Sequence, residues 1–216
     1  MASGLEVSYC AGPLGVQNVS SIAVDRILFH PDFDMWLLDN DIALVLVRAP
    51  MQLGTGSSPV CLSKFVDLME WGDCWVSGWG STVAMRKLDA KLYKVKIRLL
   101  EWETCQQLMP QVTRNMLCAG DPLKGKDACK GDSGGPLTCE KTNHKGTWYQ
   151  LGIVSWGEGC GRKPGVYTNV SNYLAWIHTE TRRLGKPFKL KSGNLPLLSP
   201  WAILLLNFLM FLLVHN

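Results

Sequence analysis

The sequence predicts an all-β fold, an antiparallel barrel or sandwich, on three observations. Short apolar runs alternate with turn signals along most of the chain, which is the usual pattern of such folds. The 216 residues include 21 glycines and 9 tryptophans, a mixture that suits tight turns and strands better than helices. Hydrophobic residues make up 47% of the chain, which is enough for a packed core.

The individual elements follow from the periodicity of the apolar residues. Strands are predicted at residues 42–47, 74–79, 94–100, 151–156 and 165–170. Residues 102–108 are predicted to form a short helix. A longer helix is predicted over 173–184, where Gly185 would stop it.

Charge and cysteine content exclude several classes of function. The net charge is only +4 and no Lys/Arg cluster alternates with aromatic residues, so we expect no nucleic-acid binding. Eight cysteines in so short a chain favour disulfides over reduced or metal-binding thiols. The chain has no C-x-x-C pair, so we predict neither a zinc site nor another cofactor.

The two ends of the chain differ in character. The first ten residues lack a basic start and an apolar core, so they are not a signal peptide. A basic linker is expected at 186–195, followed by an apolar segment at 196–216. We favour an anchor signal for lipid attachment over a tail-anchored membrane helix, whereas a buried core helix is disfavoured because little sequence follows to cover it. The basic residues before the segment would keep the domain cytoplasmic if it were a tail anchor, but the cysteines argue against that placement.

The run KGDSGGP at residues 130–136 is the strongest local signal. A serine hydroxyl is a weak nucleophile until a base takes its proton. A glycine-rich turn lets backbone N–H groups converge on one point, where they can stabilise an oxyanion. Ser133 is therefore the candidate nucleophile, with the N–H groups of Gly131 and Ser133 as candidate oxyanion donors.

With this run, the chain from about Asn18 to Gly185 resembles the trypsin-like, chymotrypsin-fold serine proteases. The run DNDIAL at 39–44 is similar to the segment that carries the family's catalytic aspartate, here Asp41. Ser133 follows Asp41 by 92 residues, against about 93 in well-studied members. Further family-like runs are CWVSGWG at 74–80, NMLCAG at 115–120, VSWG at 154–157 and CGRKPGVY at 160–167. The apolar C-terminal segment resembles that of membrane-anchored members, several of them expressed in testis.

The resemblance implies a double antiparallel β-barrel. Within a domain at 1–185, the first barrel would be incomplete, the second complete over about 74–170, and a terminal helix would follow at about 172–185. We expect the truncated first barrel to expose open strand edges. The implied disulfides are Cys74–Cys139, Cys105–Cys118 and Cys129–Cys160. Cys61 would pair with Cys10 or stay free.

The resemblance also implies a specificity pocket for Arg or Lys. Asp127 would lie at its base and pair with the substrate cation, and Gly157 and Gly165 would leave room in its walls. Ser155 belongs to the same substrate-binding set. The expected partner is a protein or peptide with an exposed Arg or Lys, and the C-terminal segment would contact a membrane.

Two parts of the family's machinery are missing from the sequence. The catalytic histidine should precede Asp41 by about 45 residues, which lies before Met1. We interpret the four histidines, His30, His144, His178 and His215, as structural or solvated. No activation site precedes the domain, so Asp132, which a freed N-terminus pairs in relatives, would lack a partner.

The predicted function is therefore a serine protease-like protein that is inactive as this chain. The alternative is a truncated isoform or gene model of an active trypsin-like endopeptidase that cleaves after Arg or Lys. Family resemblance implies secretion or the extracellular face of a membrane. Asn18 and Asn169 begin glycosylation sequons if the chain enters the secretory pathway.

Overall fold

A computed structural model describes residues 4–10, 19–52, 58–64, 67–81, 92–121, 125–188 and 203–206, with the backbone alone at Cys10 and 203–206. Its strands are β1 (Glu6–Cys10), β2 (Val19–Phe29), β3 (Ala43–Val47), β4 (Cys61–Leu62), β5 (Trp71–Gly78), β6 (Tyr93–Leu99), β7 (Met116–Gly120), β8 (Pro136–Lys141), β9 (His144–Trp156), β10 (Gly165–Asn169) and β11 (Ile203–Leu206). Its α-helices are α1 (Trp102–Leu108) and α2 (Leu174–Arg183).

Six strands close a barrel in the second half of the chain. Each strand pairs antiparallel with the next in the order β5, β6, β7, β10, β9 and β8, and β8 returns to β5. Inward residues such as Leu137, Leu151 and Tyr167 are almost fully buried and form its core. Closure leaves this barrel without a free edge, since every strand has two neighbours.

The first half of the chain forms an open sheet in the order β1-β2-β3-β11. All five residues of β3 are buried, as the uninterrupted run Ala-Leu-Val-Leu-Val predicts for a strand covered on both faces. Strand β11 pairs antiparallel with β3, so β1 and β11 are the edge strands of this open sheet. This sheet together with the closed barrel confirms the predicted all-β class with an incomplete first barrel.

Both predicted helices are present. Helix α2 ends where Gly185 adopts a φ of +68°, a left-handed conformation that glycine takes without steric cost, and the Gly185 N–H donates to the Arg182 carbonyl. The chain then folds back, and Phe188 is only 6% exposed in a cluster with Ile42, Leu44 and Ile177. This cluster joins the first sheet to helix α2.

The predicted anchor lies mostly outside the described residues and stays a prediction. Residues 203–206, its described part, are the strand β11. Among the helices of the described ranges, none is long and apolar enough to cross a membrane.

Phe188→Ala should destabilise the chain by about 3–5 kcal/mol, because truncating a buried aromatic side chain leaves a cavity in the cluster that joins the sheet to α2. Urea denaturation followed by tryptophan fluorescence would measure the change. Phe29→Ala is a matched control, because Phe29 is 42% exposed, and should cost less than about 1 kcal/mol. Equal losses in the two variants would contradict a structural role for the Phe188 contact.

Candidate active site

The glycine-rich turn holds Ser133 against strand β9. The Gly134 N–H donates to the Val154 carbonyl at 2.9 Å, and the Val154 N–H donates to the Gly135 carbonyl at 2.9 Å. Gly131 and Gly134 have φ values of +96° and +79°, which residues with a Cβ rarely adopt. The sequence therefore needs glycine on both sides of Ser133 to make this turn.

The candidate oxyanion donors are available for a ligand. In the part of the chain that the structure describes, neither the Gly131 N–H nor the Ser133 N–H donates a hydrogen bond. Ser133 itself is half-buried. Two free N–H groups flanking a nucleophile could stabilise a negatively charged oxygen, so the arrangement is chemically consistent with the predicted role.

Asp41 is fully buried where the first sheet meets the barrel. The Ser155 hydroxyl donates to the Asp41 carboxylate, with 2.7 Å between Oγ and Oδ2. The Thr168 hydroxyl donates to the Asp41 carbonyl oxygen at 2.7 Å. A buried carboxylate is costly unless it is hydrogen-bonded, and these contacts fix Asp41 to strands β9 and β10. Ser155 follows Val154 directly, so β9 brings Asp41 and the Ser133 turn together.

A polar network that sequence reasoning missed holds the residues before Asp41. Asp39 accepts hydrogen bonds from the Thr113 hydroxyl and from Asn115 Nδ2. Asn40 has a φ of +55° and accepts a hydrogen bond from the Tyr173 hydroxyl at 3.1 Å. The only sequence signal was the Asn itself, which tolerates left-handed backbone better than most residues. Its partners are distant in sequence and could not be inferred.

Asp127 lies in a cradle of small residues. Its Oδ1 accepts hydrogen bonds from the Ala128 N–H at 2.7 Å and the Tyr167 hydroxyl at 3.2 Å. A Cβ at Gly165 would overlap the Asp127 carboxylate, whereas a Cβ at Gly157 would make ordinary contacts, the nearest at 3.6 Å. The structure thus brings Asp127, Gly157 and Gly165 together, as the resemblance implied. Their role in substrate binding stays a prediction.

Burial raises the pKa of Asp127 to about 6, although its hydrogen bonds to Ala128 and Tyr167 oppose the shift. Burial and the neighbouring Asp127 also hold the pKa of Tyr167 well above its usual value. No ion pair to Asp127 occurs in the described ranges, and a cationic ligand would supply a charge partner for its ionised form.

Asp132 has partners, contrary to the expectation from the sequence. Its carboxylate accepts the Gly80 N–H and the Cys129 N–H, each at 2.9 Å. A Cβ on Gly78 or Gly80 would overlap this carboxylate. No ion pair to Asp132 occurs within the described residues, so its described partners are backbone N–H groups.

A cavity of about 450 Å³ lies behind these two acids. Asp127 and Asp132 both line it, as do Gly80, Tyr93 and Arg162. Ser133 is not among its lining residues.

The structure contains the three disulfides that the resemblance implied, Cys74–Cys139, Cys105–Cys118 and Cys129–Cys160. The last ties the Asp127 segment to the loop before Gly165. Cys61 is a free thiol, and burial raises its pKa. The side chain of Cys10 lies outside the described residues, so a pairing between the two stays untested.

The described histidines are committed elsewhere. The His30 ring packs against the rings of Tyr173 and Trp176, with centroids 5.2 and 5.0 Å apart, and burial lowers its pKa although Asp32 and Asp39 oppose this. His144 begins β9, eleven residues before Ser155, or about 35 Å along a strand. His178 is exposed on α2, and His215 lies outside the described residues.

A closed antiparallel barrel, an adjoining sheet that carries a buried aspartate, and a glycine-flanked serine between them define a serine protease-type domain of the chymotrypsin fold. A family model described as trypsin matches residues 10–177. The chain therefore belongs to the trypsin family.

Two curated relatives are each 40% identical to the chain. One is "Coagulation factor XI" of Bos taurus, aligned over 171 residues, 77% of this chain and 27% of the relative. The other is "Transmembrane protease serine 9" of Rattus norvegicus, aligned over 162 residues, 74% of this chain and 15% of the relative. The chain thus spans less than a third of either relative.

Gly165→Ala should abolish benzamidine binding and destabilise the chain by about 1–3 kcal/mol, because the new Cβ would overlap the Asp127 carboxylate. Gly157→Ala is the matched control, and it should fold with wild-type stability because its Cβ has room. Thermal unfolding with and without benzamidine would measure both effects. Similar behaviour of the two variants would show that the described cradle is wrong.

Benzamidine binding should weaken about tenfold between pH 8 and pH 5, because protonation of Asp127 below a pKa of about 6 removes the counter-charge. Isothermal titration calorimetry would measure this, and in Asp127→Asn binding should be weak and independent of pH. The folded-state pKa of Asp127 lies above its ordinary value of 3.8, so the Asp127 contribution to stability is lost as pH rises from about 4 through about 6. Asp127→Asn should therefore raise Tm more at pH 8 than at pH 4. A pH-independent wild-type affinity would contradict the assignment.

Proposed function

We propose that this chain is a trypsin-like serine protease homologue that binds basic side chains but does not hydrolyse peptide bonds by itself. The observation that carries the proposal is the commitment of the histidines. His30 is packed between two aromatic rings, and His144 and His178 lie on elements outside the Ser133 turn. Ser133 and Asp41 therefore have no base from the described residues.

The absence of a general base for Ser133 determines the rate of peptide hydrolysis that we expect. Ser133 needs a group that takes its proton during attack, and Asp41 acts on substrate only through the histidine that it orients. Removal of the histidine from a comparable triad costs about 2 × 10⁶ in turnover. Free N–H groups at Gly131 and Ser133 could keep a small residual rate, but not one that would matter for peptide hydrolysis.

Binding of basic side chains is better supported than catalysis. Asp127 is a half-buried carboxylate for which the described residues provide no ion-pair partner, and small residues surround it. Guanidinium and ammonium groups pair well with such a carboxylate. The proposed ligand is a protein or peptide with an exposed Arg or Lys, held without cleavage.

A second candidate is an active endopeptidase that cleaves after Arg or Lys, with the histidine supplied by residues before Met1 of a longer product. Two observations favour it. Ser133, Asp41 and Asp127 all match the family's motif positions in the sequence, and a non-catalytic lineage has no need to keep them all. The relatives are also several times longer than this chain.

We also propose that the chain is secreted or lies on the extracellular face of a membrane. Three disulfides favour an oxidising compartment, and one relative is named a transmembrane protease. Asn169 Oδ1 accepts hydrogen bonds from the backbone and side chain of Ser171, so its side chain is engaged in capping. Asn18 is the better candidate for a glycan.

The purified chain should show no labelling by a fluorophosphonate probe above that of Ser133→Ala, because the Ser133 hydroxyl has no base. Gel fluorescence after incubation at pH 8 would measure the labelling. A benzamidine-dependent rise in Tm in the same sample would show that the domain is folded. Strong labelling that Ser133→Ala abolishes would refute the proposal and favour the second candidate.

A further inference from the structure

Strand β3 depends on neighbours along both of its edges. Its five residues are buried, and β2 pairs with one edge from Ala43 to Val47. A buried strand with an open edge leaves backbone N–H and C=O groups without partners, which costs stability and invites pairing with other chains. The second edge of β3 therefore needs an occupant.

The occupant in this structure is the chain's own C-terminal segment. Residues 203–206 form β11, and the antiparallel register runs from Ile203 opposite Leu46 to Leu206 opposite Ala43. The sequence of β11 is Ile-Leu-Leu-Leu, as apolar as the strand that it joins. Ala43 lies two residues after Asp41, so the pairing ends beside the candidate active site.

A separate contact brings the C-terminal segment to this edge. Phe188 is buried among Ile42 and Leu44, at the start of β3, and its N–H donates to the Thr181 hydroxyl at 3.1 Å. Fourteen residues lie between Phe188 and Ile203. They could reach about 45 Å when extended, so the tether allows the pairing at little cost in chain entropy.

The same residues cannot be a strand of this sheet and part of a membrane helix. A span needs about 20 consecutive residues, and the apolar segment from 196 to 216 has 21. A helical span would therefore include 203–206 and satisfy their backbone groups internally. Docking on β3 and insertion as a span exclude each other.

We infer that residues 203–206 are the fourth strand of the first sheet when the chain is free in water, and that membrane insertion of the apolar sequence that contains them withdraws them and opens the β3 edge. The segment then has two exclusive partners, the edge of β3 and a lipid bilayer. The inference does not depend on whether Ser133 is catalytic.

Hydrogen–deuterium exchange of the full chain tests the docking. The variant Leu204→Pro/Leu205→Pro keeps the segment apolar but removes two adjacent backbone donors, one of which must face β3. Amides within 43–47 should exchange at least about tenfold faster in this variant. The matched control Leu204→Val/Leu205→Val should exchange like the wild type.

Peptides from 150–156 in the closed barrel serve as the internal reference. Loss of protection at 43–47 alone supports the docking. Loss of protection at both 43–47 and 150–156 also supports it, because prolines in an undocked tail would not destabilise the domain. Unchanged protection at 43–47 in the proline variant would overturn it. A dimer of the proline variant in size-exclusion chromatography, together with unchanged protection of β3, would also overturn the docking. That result would mean that a second copy of the chain covers the β3 edge.

Vesicles of phosphatidylcholine with about one-fifth phosphatidylserine test the exclusion. The wild-type chain should bind them and lose protection at 43–47 by about the same factor as the proline variant. Binding with β3 protection unchanged, or no binding, would overturn the competition between sheet and bilayer.

Discussion

The site depends on two consecutive residues of strand β9. The backbone of Val154 holds the turn that carries Ser133, and the hydroxyl of Ser155 holds the carboxylate of Asp41. Adjacent residues of a strand point to opposite sides, so one strand can bind a turn through its backbone and an aspartate through a side chain. Because β9 also belongs to the closed barrel, the geometry between Ser133 and Asp41 is as rigid as that barrel.

The three acids near the site are stabilised by different means, which separates their roles. Asp41 is fully buried and accepts a hydroxyl, and Asp132 accepts two backbone N–H groups. Asp127 lies in a cradle where burial raises its pKa to about 6, so its surroundings disfavour its ionised form. A carboxylate whose ionised form is disfavoured by its surroundings is stabilised most by a cationic ligand. For this reason we assign ligand binding to Asp127.

The first sheet is open and has strand edges, whereas every strand of the closed barrel has a neighbour on both sides. Strand β3 of the first sheet begins two residues after Asp41 and is buried throughout, and β2 and β11 cover its two edges. Strand pairing is local in space but not in sequence, so a segment that docks there must be tethered nearby. The buried Phe188 provides that tether, and it links the behaviour of the C-terminal segment to the strand that supports the active-site aspartate.

Residue patterns alone predicted five of the described strands (β3, β5, β6, the end of β9 and β10), both helices and the Ser133 turn, because each depends on neighbours within a few positions. The alternation around Lys94 and the glycine at 185 are signals of this kind. Motif resemblance added the disulfides and the pocket residues. Only the tertiary structure decided the partners of Asp132, the network from Asp39 to Tyr173 and the pairing of β11 with β3. Apart from the Cys129 N–H that Asp132 accepts, these contacts join residues 50 or more positions apart. A carboxylate or a strand edge does not reveal in sequence which distant N–H group will meet it.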